Sequence, residues 1–159
     1  MTEPARSSIA AAMLNPALVA TILATTATTY RKETGRGLHW ALAFVVVPMV
    51  LHRGTREALP GTTTTHLAAW VSRNPRIRAA LPARAHTLVA TVRAGLRFGL
   101  TTRALTIEGD ALIGVTKKPR GYVIPDELEE ILGRARFLGR WLAKTDSTAT
   151  IFALLGVAP

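Results

Sequence analysis

Between Leu38 and Leu51 the chain reads LHWALAFVVVPMVL, an apolar stretch interrupted only by His39 and Pro48. A helix that is apolar on nearly every side has to lie inside a core. The run is shorter than the roughly 20 residues a bilayer core demands, so a buried helix is expected rather than a membrane span. The spacing predicts a helix starting near Leu38. Leu38, Leu42, Val45, Val46 and Met49 mark one face, and Phe44, Val47 and Val50 fill the rest. Pro48 should kink or break it near Val47. The other elements must cover this segment, and 159 residues suffice to do so as one domain. The apolar content is mostly Ala, Leu and Val, with aromatics at 6%. That composition favours helix packing over a β-sandwich.

Residues 1–14 read as a flexible arm, and residues 15–159 as one helical domain. Asn15-Pro16 pairs a capping side chain with a proline suited to the first helical position. The helix it opens should end near Thr34, before Gly35 and Gly37. HRGTREALP, ending at Pro60, reads as a polar connection. A short helix around Leu67, Trp70 and Val71 should stop at Asn74, and Asn74-Pro75 should start another short one. Pro82 should open a longer helix with Leu81, Ala85, Leu88, Val92 and Leu96 on one face. Two short helices and a longer basic one are compatible with a helix-turn-helix. Around Glu108-Gly109-Asp110 the period changes, which predicts a β-hairpin over about 104–116, where a winged helix carries its wing. Asp126 and Glu129 have capping-box spacing ahead of the stripe Leu128, Ile131, Leu132, Ala135, Leu138 and Leu142. Gly133 and Gly139 inside that helix suggest close approach of another helix. Ser147 should cap a last helix, Thr148 to Leu155, closed by Gly156. The expected fold is mainly α, a winged-helix-like domain with one hairpin. Trp40, Phe44, Val45, Leu138, Trp141, Leu142 and Leu155 are its expected core. The apolar end TIFALLGVAP should dock on that core rather than on a partner.

Charge is distributed unevenly. The net formal charge is +10, and residues 52–103 carry nine arginines against one acid, Glu57. From Ala58 to Ile107 there is no acidic side chain. Such a block suits a polyanion or an acidic protein face. Candidate contacts are Arg73, Arg76, Arg78, Arg84, Arg93 and Arg97, with the wing basics Lys117, Lys118 and Arg120.

Catalytic patterns are missing. With no cysteine, thiol catalysis and thiolate zinc sites are excluded. His39, His52, His66 and His86 are not at metal spacing and have no carboxylate nearby in sequence. Glu127, Glu129 and Glu130 sit in a helix first turn, where acids are expected anyway. No Walker A pattern, GxGxxG after a strand, or GxSxG is present. No catalytic residue, cofactor or metal is therefore expected, which favours a binding subunit over an enzyme. Glu3 and Asn15-Pro16 make a poor signal peptide, so a cytoplasmic protein without membrane contact is expected. Two readings remain: a stand-alone winged-helix DNA-binding regulator, or an adaptor packed between larger partners.

Several strings bear on that choice: NPALVA from Asn15, GRGLHWALAFVVVPMVLHRGTREALP at 35–60, the Thr-rich turn before HLAAW, RFLGRWLA at 136–143, and TATIFALLGVAP at 148–159. In order and spacing they resemble the middle components of three-component ABC systems, including those of Lamassu-type bacterial defence. The resemblance implies a small helical, winged-helix-like subunit without activity of its own. It would join an SMC-like ABC ATPase to an effector, a nuclease or another toxic enzyme, and help hold that effector inactive until DNA is sensed. The basic block would then meet DNA beside the ATPase or an acidic face of a partner.

Overall fold

The computed structural model describes residues 15–117, 120–145 and 147–158. The arm over residues 1–14 lies outside the described residues. The first helix, α1 (Pro16–Thr34), starts as the sequence predicts: the Asn15 side chain accepts the Ala17 N–H at 2.8 Å. Two of its threonines turn their hydroxyls back onto the helix, Thr21 to the Ala17 carbonyl and Thr29 to the Thr25 carbonyl, which satisfies these two without outside partners. Gly35, at φ 72°, ends the helix in the left-handed region. Gly37 has a different role: a Cβ there would stand 2.7 Å from the Ala111 Cβ, so the chain crosses the sheet only if this position is bare.

The apolar run does not begin as a helix. Leu38–His39 form strand β1, Trp40–Leu42 a 3-10 turn, and helix α2 covers Ala43–Leu51. The reason is pairing: β1 is bonded to the later hairpin, with Leu38 opposite Leu112 and His39 opposite Ala111. The turn that follows brings Trp40 to the surface, 45% exposed, where its ring stacks on His39 and meets Phe44 edge-on. The expected burial of Trp40 is thus overturned, and Phe44 is only half-buried. Pro48 does not interrupt α2, which continues through it to Leu51. Val45, Val46, Val47, Met49 and Val50 are fully buried, as the run requires.

The polar connection after α2 contains helix α3 (Arg53–Ala58), and α4 (Leu67–Arg73) follows. Helix α5 (Pro75–Thr87) runs straight through Pro82, and the break falls instead at Leu88 (φ −93°, ψ 4°), ahead of α6 (Val89–Thr101). Leu81, Ala85 and Val92 of the predicted stripe are buried, while Leu88 and Leu96 are half-buried. Strands β2 (Leu105–Glu108) and β3 (Ala111–Gly114) form the expected hairpin. With β1 they make a three-stranded antiparallel sheet ordered β1-β3-β2.

Helix α7 (Asp126–Leu142) buries Ile131, Leu132, Ala135, Leu138, Trp141 and Leu142. The capping box does not form: Pro125 precedes the helix without a side-chain cap, and Glu129 pairs with Arg136 instead. Ser147 accepts the Thr150 N–H and opens α8 (Thr148–Leu155), whose Ile151, Phe152 and Leu155 dock on the chain's own core. Helix α1 packs on α6, α7 and β3 and is the hub of the fold. Beyond it, Trp70 and Trp141 meet edge-on and donate their indole N–H groups to the Ala58 and Thr65 carbonyls, which pins the Thr-rich turn. None of the described helices is long and apolar enough to cross a membrane.

Candidate functional site

The arginines of the basic block separate into two kinds. Arg78, near the start of α5, donates through Nε to the Leu154 carbonyl at 2.8 Å and lies beside Gly156. Its guanidinium thus closes the end of α8. Arg84, half-buried, reaches the Thr55 hydroxyl at 3.3 Å. These two are tied into the fold. Arg73 at the end of α4, Arg76 in the first turn of α5, and Arg93 and Arg97 on α6 are exposed and make no ion pair among the described residues. Lys117 and Arg120 are exposed after the hairpin, and Lys118 lies outside the described residues. The exposed arginines therefore fall on different elements. Arg73 and Arg76 sit at the α4–α5 corner, and α5, about 20 Å long, separates them from α6.

Sequence reasoning passes over Arg56. This side chain is 2% exposed, donates through Nη1 to the Val50 carbonyl at 2.8 Å, and pairs through Nε with Glu130 at 3.2 Å. It thereby satisfies carbonyls at the end of α2 that would otherwise be orphaned inside the core. Only the alternation of HRGTREALP could suggest an inward-facing arginine. Beside it, His52 accepts the Thr55 N–H through Nδ1 at 3.0 Å and caps α3. Burial, reinforced by the Arg84 and Arg56 charges, holds the His52 pKa below its ordinary value.

The outer face of the sheet and the ends of α1 and α8 enclose an open groove of about 520 Å³, lined by Tyr30, Arg31, His39, Glu108, Asp110 and Ser147 among others. His39, which has no carboxylate near it in sequence, is brought within 3.6 Å of Asp110. The approach is longer than a hydrogen bond, and Asp110 is largely exposed. His39 Nδ1 accepts the Ala41 N–H at 3.2 Å, and Nε2 is the atom facing Asp110. Ser147 is occupied as the α8 cap. No three metal-ligating side chains gather among the described residues.

The remaining conspicuous surface is apolar. Trp40, Phe98, Ile107 and Val123 are exposed well beyond what packing requires, and they lie in different elements. A helical scaffold with spare arginines and exposed aromatics is suited to holding other molecules. A family model described as ABC-three component (ABC-3C) system Middle Component 3, MC3, matches residues 4–159. The chain belongs to the MC3 family. No curated protein and no solved structure matches it. The match takes in every described element of this MC3 chain, α1 to α8 and the sheet. The strings GRGLHW and RFLGRWLA have structural reasons in this MC3 protein. The first holds the α1 end, the bare crossing at Gly37 and the exposed Trp40; the second holds Gly139 and the buried Trp141.

Proposed function

We propose that this MC3 protein is a non-catalytic adaptor that joins an SMC-like ABC ATPase to an effector, a nuclease or another toxic enzyme, in a Lamassu-type defence system. The observation that carries the reading is the family match over residues 4–159. Two structural features support it. The His39–Asp110 pair, which looks most like catalytic machinery, is 3.6 Å apart and has no nucleophile bonded to it among the described residues, and its Nδ1 is taken by the Ala41 N–H. Exposed apolar side chains on separate elements, Trp40 beside β1 and Phe98 on α6, offer anchors for more than one partner. The exposed arginines add DNA as a further partner through the basic block, and no membrane is involved.

A stand-alone winged-helix regulator is the second reading. The sheet order β1-β3-β2, with the hairpin following α6 directly, favours a winged-helix-like arrangement and keeps this reading in view. Selection of duplexes from a random library by the isolated chain separates the two. A regulator prefers one sequence over background by about a thousandfold or more. The adaptor reading expects no such enrichment, and recovery of a single operator sequence would overturn it.

A further inference from the structure

We propose that the solvent face of α6, continued by Arg103 and Lys117, is a surface for the phosphate backbone of double-stranded nucleic acid. The proposal rests on the phosphate reading of the basic block and is independent of the adaptor role. Helix α6 buries Val92, Gly95 and Gly99 against the body of the protein. At 100° per residue this turns Arg93 and Arg97 outward on the opposite side, about 6 Å apart along the axis. Beyond the helix, Arg103 holds φ 60°, a left-handed conformation uncommon outside glycine and asparagine. It is exposed at the corner between α6 and β2. The Val115 N–H donates to the Ala104 carbonyl at 2.9 Å, which draws the strand leading to Lys117 alongside that corner. Arg93 and Arg97 thus share one face of α6, and Arg103 and Lys117 are exposed where the chain passes from that helix through the hairpin.

Acid placement supports the same surface. The hairpin's acids, Glu108 and Asp110, lie at its tip, about 10 Å along β2 from Leu105 and further still from Arg103, and Asp110 faces His39. Neither Arg93, Arg97 nor Arg103 makes an ion pair among the described residues. The shape of the face separates nucleic acid from an acidic protein. A protein partner is held chiefly by large apolar anchors. Between and beside the two arginines stand Ala90, Ala94 and Thr101, with Leu100 exposed beside them and Val115 exposed beyond the corner, while Phe98 lies roughly 140° around the helix from Arg93 and roughly 100° from Arg97. A helix with arginines separated by small residues can lie within a major groove about 12 Å wide, its cations reaching phosphates.

The test uses the full chain alone with a labelled duplex of random sequence, its affinity measured against salt. Four phosphate contacts predict a slope near −3.6 and about a 150-fold loss of affinity between about 50 and 200 mM monovalent salt. Arg93→Ala with Arg97→Ala should bring the slope to about −1.8 and the loss to about 12-fold. Arg73→Ala with Arg76→Ala, at the other corner, should leave the slope unchanged. Polyglutamate at equal charge concentration should not displace the duplex. Absence of duplex binding at the lowest salt, an unchanged slope in the α6 variant, or an equal loss in the α4–α5 variant overturns the proposal. Displacement by polyglutamate also overturns it and assigns the face to an acidic protein. None of these outcomes bears on whether the ATPase and effector bind.

Discussion

The Cα of Gly139 in α7 lies directly against the backbone of Thr26 in α1, so closely that a Cβ there would stand 2.6 Å from the Thr26 carbonyl oxygen. One turn earlier the Thr26 hydroxyl, shared between the Ile22 carbonyl of its own helix at 2.9 Å and the Ala135 carbonyl across the same interface at 3.2 Å, shows the same close approach. This contact sets how near α7 comes to the hub of the fold. Gly139→Ala gains about 1 kcal/mol of helix propensity. It also forces two helix backbones apart, an overpacking cost of about 1–3 kcal/mol. A net loss of stability is predicted. Gly133→Ala is the control on the same helix: its nearest neighbour would be the Arg136 side chain at 3.8 Å, so propensity acts alone. Denaturant melts should move in opposite directions for the two variants, and a stabilised Gly139→Ala would contradict the close approach.

Leu138 is fully buried at the α7 interface, and Leu138→Ala should cost about 2–5 kcal/mol. Trp40 carries a larger side chain but is 45% exposed, so Trp40→Ala should cost well under half of what Trp141→Ala does, itself about 3–5 kcal/mol. Equal losses at Trp40 and Trp141 would show that the Trp40 indole is buried after all.

His52 supplies a pH dependence. Its pKa in the folded chain is lowered from 6.5 by burial and then by the Arg84 and Arg56 charges. Between the folded and unfolded values the unfolded chain binds more protons. The contribution is therefore complete above about pH 6.5 and declines as pH falls through the folded value. His52→Asn keeps a capping side chain without the titration. Melts at about pH 7.5 and pH 5.5 should show a smaller acid-induced drop for His52→Asn than for the parent chain. The same drop in both would remove His52 from the account.

Arg56 tests whether an inward-facing charge holds α2 and α3 together. Arg56→Leu keeps much of the volume but leaves the Val50 carbonyl without its 2.8 Å donor. Glu130 is half-exposed and can return to water. The expected cost is that of an unsatisfied buried carbonyl, about 1–3 kcal/mol, read from the urea midpoint. An unchanged midpoint would mean the guanidinium does not serve this carbonyl.

Local chemistry makes several elements legible in the amino-acid sequence. Asn15-Pro16, Ser147 and Gly156 mark helix ends through their own side chains or lack of one, and the structure has those ends where the residues predict them. The hairpin around Gly109 is legible for the same reason. Sequence and structure part where a distant segment decides the outcome. Leu38-His39 is a strand because β3, more than 70 residues away, pairs with it, and Trp40 is turned outward as a result. Pro48 and Pro82 do not break their helices, so tertiary packing outweighs the missing donor at each. Glu129 prefers Arg136 to its capping role. In the basic block, sequence gives charge and spacing. It does not show that Arg78 and Arg84 are tied to other elements while Arg93 and Arg97 are not, because the Leu154 carbonyl and the Thr55 hydroxyl come from distant parts of the chain.

The adaptor role is tested most directly by affinity purification of the tagged chain expressed together with its neighbouring genes, followed by size-exclusion chromatography. The account predicts one peak containing the MC3 chain, a long SMC-like ATPase and an effector in fixed ratio, persisting in nuclease-treated lysate. A tagged chain that elutes alone, with neither ATPase nor effector, would contradict it.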